Sequence, residues 1–174
     1  MLLPIKSLTV KSVHTRHALE KDLKAIVEIY NQGIRGRGAT FEIRERSIDD
    51  IRSWLDSSYP LLVAEKEEQI LGWISASSYR ARECYAGIAE FSIYIAETDR
   101  GQGIGDALMA AFLPACEAKG IWKVLSRIFP ENTASRNLCK RHGFREVGIY
   151  QRHAKLEGVW KDVVIVERLL EGNL

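Results

Sequence analysis

A cluster of glycines lies directly before a helix-like run, in the stretch "DRGQGIG" at positions 99–105. Glycine destabilises a helix interior by about 0.5–1 kcal/mol relative to alanine, so such a cluster needs a compensating reason. The first amides of a helix have no internal partner and carry about half a positive charge, and glycine lets a phosphate approach them closely. The stretch therefore predicts an anion site lined by residues 100–105, with Arg100 as an added cation. A loop without a ligand is the alternative.

Glu90 is a candidate catalytic residue, because it is a carboxylate within an otherwise apolar, strand-like run. In "GIAEFSIYIA", positions 87–96, alternation places Glu90 on the polar face of a predicted strand. Partial desolvation by Ala89, Phe91 and the strand backbone would favour the neutral carboxyl, which suits a group that takes up a proton. The alternative is an ion pair with an arginine on a neighbouring strand. The residues by themselves leave both interpretations open.

Other motif spacings argue against several classes of site. The glycines read GxGxG late in the chain, whereas a dinucleotide fold needs GxGxxG near its first strand, and the P-loop sequence GK[ST] is absent. No two histidines have the i, i+4 spacing of a helical metal site, so we predict no metal. Cys84, Cys116 and Cys139 are widely spaced and form no CxxC pattern, which favours a reducing compartment.

The totals are typical of one globular domain. The chain has 174 residues, 46% of them hydrophobic and 28% charged, with a formal net charge of +2. A charge this small gives no support to nucleic-acid binding, and no window of about 18 residues is both apolar and uncharged. We therefore expect a cytoplasmic protein without nucleic-acid or membrane partners. We expect an N-terminal tail at 1–11 and a single domain at 12–174.

The elements that must position these groups follow from hydrophobic periodicity, which predicts an α/β protein. Ser47 is the expected N-cap of the second helix, Gly143 the expected C-cap of the fourth, and Pro114 conflicts mildly with the third. The helices are predicted at 19–32, 48–58, 105–120 and 133–143. The strands are predicted at 12–18, 61–66, 70–79, 87–96, 123–129, 144–156 and 161–170.

Two motifs together carry a family resemblance. The pattern Arg100-x-x-Gly103-x-Gly105 resembles the acyl-CoA pyrophosphate loop of the GCN5-related N-acetyltransferase (GNAT) family. The segment "ENTASRNLCKRHGF" at 131–144 is similar to a later motif of that family. The resemblance extends from about residue 13 to residue 170. It implies the GNAT fold, which is a mixed, mostly antiparallel central sheet of about seven strands flanked by about four helices, and it implies acetyl-CoA as the cofactor.

Within the family, five separate segments resemble the phosphinothricin and methionine sulfoximine acetyltransferases and their arsinothricin-type relatives. This likeness implies transfer of an acetyl group to the free α-amine of a small anionic amino-acid analogue, and hence antibiotic or herbicide resistance. It also implies a homodimer, with Trp160 and Asp162 near the subunit interface. The segments are "EIYNQ" at 28–32, "ATFE" at 39–42, "YRARECY" at 79–85, "AEFSIYI" at 89–95 and "GVWKDV" at 158–163.

The resemblance also implies residue roles, with Glu90 as the general base for direct attack by the amine. Arg80 and Arg82 could each pair bidentately with a carboxylate or phosphinate, and a solvated basic loop is the alternative. The other residues implied near the acceptor are Asn31, Thr40, Phe41, Tyr85, Ala89 and Phe91. The residues implied to hold acetyl-CoA are Ser92, Ile93, Tyr94, Ile95, Arg100, Gly101, Gln102, Gly103, Ile104, Gly105, Asn132 and Ser135. Asn132 is equally suited to cap a helix.

One position departs from the family pattern. Relatives often place a tyrosine or a histidine where this chain has Cys139, at the point where the CoA thiolate would regain its proton. Cysteine could supply that proton, although it is also among the residues most often simply buried. Solvent or the departing ammonium could serve instead. Two other functions stay open, namely acetylation of a protein N-terminus or polyamine, and a non-catalytic acyl-CoA sensor.

Overall fold

The computed structural model describes residues 13–174, so the predicted tail at 1–11 lies outside the described residues. Seven strands form one mixed sheet in the order β1-β2-β3-β4-β5-β7-β6, in which only β4 and β5 run parallel. The predicted α/β class and mostly antiparallel sheet are confirmed. The strands are β1 (His14–His17), β2 (Leu61–Lys66), β3 (Gln69–Ser78), β4 (Ile88–Ile95), β5 (Lys123–Ile128), β6 (Arg145–Leu156) and β7 (Val159–Leu169). The helices are α1 (Leu23–Arg35), α2 (Ile48–Arg52), α3 (Ile104–Glu117) and α4 (Thr133–Arg141).

Helices α1 and α2 cover one face of the sheet over β2 to β4. Their apolar side chains pack on Val63 and on Trp73, which is 0% exposed. Helix α2 begins with the predicted cap, because the Ser47 hydroxyl accepts from the Asp50 amide and the Asp50 carboxylate accepts from the Ser47 amide at 2.7 Å. This helix is shorter than predicted and ends at Arg52.

Helices α3 and α4 cover the opposite face. Their buried residues form one cluster with Ile74, Phe91, Val124 and Val166, which come from four different strands. Pro114 lies inside α3, where the helix continues for three more residues to Glu117. No helix within residues 13–174 combines the length and apolar character needed to cross a membrane.

The β6–β7 hairpin leaves much of its surface uncovered. Helices α1 and α2 share their apolar cluster with β2 and β3 and with no residue of β5, β6 or β7 among those described. Nearly every residue of β6 is exposed, and β6 is the last strand of the sheet. One half of the sheet is therefore helix-covered on both faces, and the other half presents one face to solvent.

Candidate active site

A split between β4 and β5 is the central feature of the site. The two strands pair only at Ile88, Ala89 and Glu90, and β4 then continues to Ile95 without a β5 partner. At the split, the buried Ser126 hydroxyl donates to the Phe91 carbonyl at 2.9 Å. Beyond the split, the edge of β4 that faces β5 has backbone amides and carbonyls with no hydrogen-bond partner in β5 within residues 13–174. An extended ligand chain can bind such an edge as an added strand.

A cleft of about 750 Å³ opens from this split. One side consists of β4 residues 93–95 and the glycine loop, and the other of Phe129 and the start of α4. The end of α1 and residues 36–39 close it from the side. Three of the predicted strand residues (Ile93, Tyr94 and Ile95) line the cleft, as do all the predicted loop residues except Gln102.

The glycine loop has the geometry of an anion cradle. Gly101 and Gly103 have φ angles of 76° and 79°, which side chains rarely adopt, and a Cβ at either position would meet nothing within 4 Å. Gly103 is the N-cap of α3 and supplies no side-chain cap, so the first amides of that helix face the cleft without a side-chain partner. Arg100 beside them is exposed and forms no salt bridge within the described chain. The cradle therefore suits the pyrophosphate of an acyl-CoA.

Tyr94 forms an apolar wall of the cleft. Its ring packs against Tyr30 and Trp73 with centroid distances of 5.0 Å each, and Gly33 of α1 approaches so closely that a Cβ there would collide with the ring. Burial raises the pKa of Tyr94 above its usual range, so the phenol stays neutral. Helix α1 therefore packs tightly against β4 at the point where the cleft opens.

Glu90 lies on the face of β4 that also carries Tyr94, and it is paired with Arg127 of β5. The Arg127 Nε donates to the Glu90 Oε1 at 2.8 Å, and Nη2 lies 2.5 Å from each carboxylate oxygen. The two side chains are 22% and 44% exposed. The sequence left an ion pair with a neighbouring strand open, and the structure contains it. A carboxylate at the start of the split, reachable from solvent, is also placed to accept a proton.

The loop between α1 and α2 is fixed by Asn31, which was predicted to lie near the acceptor. Asn31 is 6% exposed, and its amide donates to the Arg46 carbonyl at 2.9 Å and accepts from the Arg46 amide at 2.7 Å. Both polar atoms are therefore engaged in holding the loop. Phe41 contacts Phe129 of the opposite cleft wall edge-on at 4.9 Å. Thr40 accepts from the Glu42 amide at 3.1 Å within the same loop.

Arg80, Arg82 and Tyr85 lie on the loop that joins β3 to β4, next to the start of β4. Both guanidinium groups are exposed and form no salt bridge among residues 13–174. The Arg80 guanidinium lies 5.1 Å above the Tyr79 ring, which in turn contacts the Tyr85 ring at 5.8 Å. The loop presents two unneutralised cations next to the start of β4.

Asn132 has the capping role that the sequence left open. Its side-chain oxygen accepts from the Ser135 amide at 3.1 Å and so begins α4. Asn132 and Ser135 both line the cleft. Capping occupies the oxygen of Asn132, whereas its amide nitrogen has no partner within the described chain and can donate to a ligand.

The predicted cofactor residues other than Ser92 and Gln102 line the cleft, whereas Glu90, Cys139 and the other residues predicted near the acceptor lie outside its lining. Cys139 is 2% exposed, packs in the main core and borders a different pocket between α4 and β6. Burial raises the pKa of its thiol to about 12, so it is poorly suited to donate a proton to a thiolate. The side chains of Ala89 and Phe91 lie in the core beneath the sheet, which leaves only their backbone for a ligand. Gln102 turns its amide to the Thr98 carbonyl at 3.3 Å.

Ser92 is exposed and lies outside the cleft lining, while two residues that the sequence did not suggest contribute to the site. Lys161 of β7 lines the cleft, pairs with Glu131 at 2.9 Å and stands 5.4 Å from the Phe129 ring centroid. Arg127 contacts Glu90. Arg127 meets Glu90, and Lys161 meets Phe129 and Glu131, across distances of 30 residues or more in sequence, so no local pattern could have found them.

The chain matches the acetyltransferase (GNAT) family over residues 23–144. The chain belongs to this family. GNAT acetyltransferases use acetyl-CoA, and the split sheet, the glycine cradle and the free amides of α3 described above fit that group.

Named relatives agree with this membership. A phosphinothricin N-acetyltransferase of Streptomyces coelicolor is 35% identical, with 91% of this chain and 96% of the relative covered. An L-methionine sulfoximine/L-methionine sulfone acetyltransferase of Pseudomonas aeruginosa is 28% identical, with 92% and 96% covered.

Solved structures also agree. A phosphinothricin acetyltransferase of Sinorhizobium meliloti in complex with acetyl-CoA aligns with a TM-score of 0.85 at 29% identity, covering 91% of this chain and 88% of that one. A ribosomal-protein-alanine N-acetyltransferase of Brucella melitensis aligns with a TM-score of 0.87 at 30% identity, covering 90% and 99%. The chain is an acetyl-CoA-dependent N-acetyltransferase, and its similarities span more than one class of acceptor.

Proposed function

We propose that this enzyme acetylates the free α-amine of a small anionic amino-acid analogue of the phosphinothricin, methionine sulfoximine or arsinothricin type. The observation that carries the proposal is the placement of Glu90 at the start of the β4–β5 split, beside a loop with two unpaired arginines. The named relatives above support the same acceptor class. An enzyme of this kind would give resistance to herbicidal or antibiotic amino-acid analogues. The three free thiols suit work in the reducing cytoplasm.

Acetyl-CoA supplies an acyl group bound to a good leaving thiolate. The α3 amides and Arg100 hold its pyrophosphate, and the unpaired edge of β4 holds the pantetheine arm and polarises the thioester carbonyl with an amide. Asn132, through its free amide, adds a contact to the arm. Bound in this way, the pantetheine arm would run along β4 towards the end of the split where Glu90 lies.

Glu90 takes the proton that the acceptor amine must lose, directly or through one water. The amine nitrogen forms its bond to the carbonyl carbon as the carbon–sulfur bond breaks, and the CoA thiolate takes a proton from solvent. Cys139 has no part in this step, because it is buried away from the cleft and its thiol holds its proton tightly. The products are the N-acetylated amine and free CoA.

The acceptor pocket extends from Glu90 towards the β3–β4 loop. Arg80 or Arg82 contacts the tetrahedral group at the far end of the acceptor. That group is acidic in phosphinothricin, where it can pair with a guanidinium as a carboxylate does, and it is a neutral sulfoximine or sulfone in the methionine analogues. Phe41, Thr40 and Tyr85 bound the pocket, and Asn31 holds the loop that carries the first two. A polyamine would meet these cations with the wrong charge.

We also propose that the enzyme is a homodimer that joins through the β6–β7 hairpin. Strand β6 ends the sheet, and an uncovered edge with apolar side chains is usually paired or covered. Asp162 is engaged inside the hairpin, where it accepts from the Arg152 amide at 2.7 Å. The exposed large apolar residues of the hairpin are Val147, Ile149, Tyr150, Val159, Trp160 and Leu169. A second copy of this chain is the occupant that such a surface favours.

A thiol-release assay with acetyl-CoA tests the acceptor class. We expect turnover of phosphinothricin, methionine sulfoximine and methionine sulfone at about pH 8, and little turnover of spermidine or of a short peptide with a free N-terminal alanine. The peptide represents the second candidate, which the similarity to a ribosomal-protein-alanine acetyltransferase favours. Turnover confined to the peptide or the polyamine would overturn the proposed acceptor and leave the cofactor site intact. Binding of acetyl-CoA without any turnover would indicate a sensor.

A further inference from the structure

The Glu90–Arg127 ion pair is complementary in charge to an α-amino acid. Its carboxylate can face the ligand's ammonium group, and its guanidinium can face the ligand's carboxylate. We infer that Arg127 binds the α-carboxylate of the acceptor while Glu90 takes its amine, so that Arg127 determines specificity for free α-amino acids. The inference deepens the function proposed above and rests on it. It assigns the α-carboxylate and the distal tetrahedral group of the acceptor to two different arginine sites.

The distances support this assignment. In an α-amino acid the amine nitrogen and the carboxylate carbon are separated by two bonds, which is roughly 2.5 Å. In the enzyme the Arg127 nitrogens lie 2.5–2.8 Å from the Glu90 oxygens. The hydrogen-bond acceptor (Glu90) and the donor (Arg127) are thus about as far apart as the amine and the carboxylate of the ligand. An amine that reaches Glu90 therefore brings its own α-carboxylate next to Arg127.

The Arg127 guanidinium has donors left for such a ligand. Its Nε and Nη2 contact Glu90, whereas Nη1 has no hydrogen-bond partner within residues 13–174. The side chain is 44% exposed and lies on the sheet face that α1 and α2 leave uncovered. A guanidinium presents five N–H donors in a plane, so it can hold two carboxylates at once.

The arginine is positioned by the sheet and not by a surface loop. Arg127 lies opposite Ile165 of β7, and its neighbour Ser126 is tied to Phe91 across the split. The guanidinium is thus held beside Glu90 on a paired strand, whereas Arg80 and Arg82 lie on an exposed loop. A rigidly held Arg127 suits the α-carboxylate, which all the proposed acceptors share. The loop arginines suit the distal group, which differs from one acceptor to another.

This arrangement predicts a selectivity that the loop arginines alone would not produce. Amines that lack an α-carboxylate lose the contact to Arg127 even when they keep the distal phosphinate or sulfone. A protein N-terminus carries an amide at that position and is therefore a poor partner for the guanidinium. Loss of one charge-assisted contact typically weakens binding about 10-fold to 100-fold.

Matched substrate pairs with an Arg127→Met variant test the inference. One pair is phosphinothricin and its decarboxylated form, 3-aminopropyl(methyl)phosphinate, and the other is methionine sulfone and 3-(methylsulfonyl)propylamine. We expect Arg127→Met to lower kcat/KM for the α-amino acids about 10-fold to 100-fold, mainly through KM, and to change that of the decarboxylated amines less than about 3-fold. An Arg127→Lys variant should recover part of the loss, since it keeps the charge.

The control is Arg52→Met, which removes an exposed arginine at the end of α2 that pairs with Glu20 outside the cleft. It should leave both members of each pair unaffected. Melting temperatures with and without acetyl-CoA identify a variant that fails to fold, and an Arg127→Gln variant then replaces it. An equal loss of kcat on both members of a pair would mean that Arg127 only positions Glu90, and would overturn the inference. If the wild-type enzyme turned over no amino-acid analogue, the proposed function itself would fail, and the inference with it.

Discussion

The two halves of the sheet use the same kind of strand for different purposes. In the half formed by β1 to β4, helices cover both faces, and Trp73 is fully buried. In the half formed by β5, β7 and β6, one face is open, and Ile149 is 57% exposed. On the open face the charged side chains pair with one another, as Glu90 does with Arg127 and Glu167 does with Lys123 and Arg145.

This difference shows that the residues that stabilise the fold and the residues available for chemistry lie in different parts of the sheet. Burial of apolar area stabilises the covered half, and a charge placed there must be fully satisfied. The open half tolerates charged groups, because solvent reaches them and the core lies on the other face only. The β4–β5 split lies at the boundary, so the site has a rigid wall on one side and solvent access on the other. Changes in the two halves should therefore affect different measured quantities.

The largest effect is expected for Glu90→Gln at the boundary between the two halves. Loss of the proposed base should lower kcat for the amino-acid acceptor by about 10²-fold to 10⁴-fold. The unfolding midpoint and acetyl-CoA binding should change little, because the pair with Arg127 is partly exposed and lies away from the cradle. Steady-state thiol release and thermal unfolding measure the two quantities. A Glu90→Gln variant that kept the kcat of the wild type at every pH tested would exclude Glu90 as the base.

A smaller effect, on stability alone, is expected for Asp22→Asn at the covered half. The buried Asp22 carboxylate accepts from two Arg16 nitrogens at 2.6 and 3.0 Å and from the Leu19 amide at 2.8 Å. Burial opposes its ionisation, but these bonds outweigh burial and lower the pKa of Asp22. The variant should lose about 2–4 kcal/mol of unfolding free energy at neutral pH, because Arg16 stays partly buried without its main partner.

The pH dependence of that loss has a definite sign. A carboxyl whose pKa is lower in the folded state stabilises the fold fully above its unfolded pKa of about 3.9, and this contribution fades as the pH falls through the folded value. The difference between wild type and Asp22→Asn should thus stay constant from neutral pH down to about pH 5 and shrink below about pH 4. Urea unfolding at a series of pH values measures it. A difference that grew on acidification would contradict the assignment.

The smallest effect is expected for Ile149→Lys on the β6–β7 hairpin. If two copies join there, the substitution places like charges near the symmetry axis and should raise the dimer dissociation constant about 10-fold, or about 1.4 kcal/mol. Light scattering over a dilution series measures the mass. Lys119→Glu, a charge change on an exposed residue after α3, is the control. A wild-type chain that is monomeric at all concentrations would rule out the proposed interface.

Most of the fold could be predicted from local patterns. The alternation in β4 predicted which face carries Glu90 and Tyr94, and the structure agrees because that alternation is a property of any strand. The cap at Ser47 and the start of α3 near Ile104 could likewise be predicted from residues adjacent in sequence. The length of α2 was wrong, because its predicted second half, residues 53–58, forms turns and bends that no local signal distinguishes from a helix.

The candidate site was predictable only in part. The glycine loop lies within one continuous segment, so its pattern was legible in the sequence. Asn31 and Cys139 have residue types suited to the proposed roles, yet the fold directs one to a loop backbone and the other into the core. Side-chain direction in these cases depends on packing between elements far apart in sequence.

The sequence by itself determined the glycine cradle before α3, the polar face of β4 and the family to which the chain belongs, because each depends on residues that are neighbours along the chain. Only the tertiary structure decided that Glu90 pairs with Arg127, that Lys161 lines the cleft and that β4 and β5 separate after three pairs. These features depend on the order β4-β5-β7, which brings residues 90, 127 and 165 together. Strand order results from the packing of the whole chain, and no short segment encodes it.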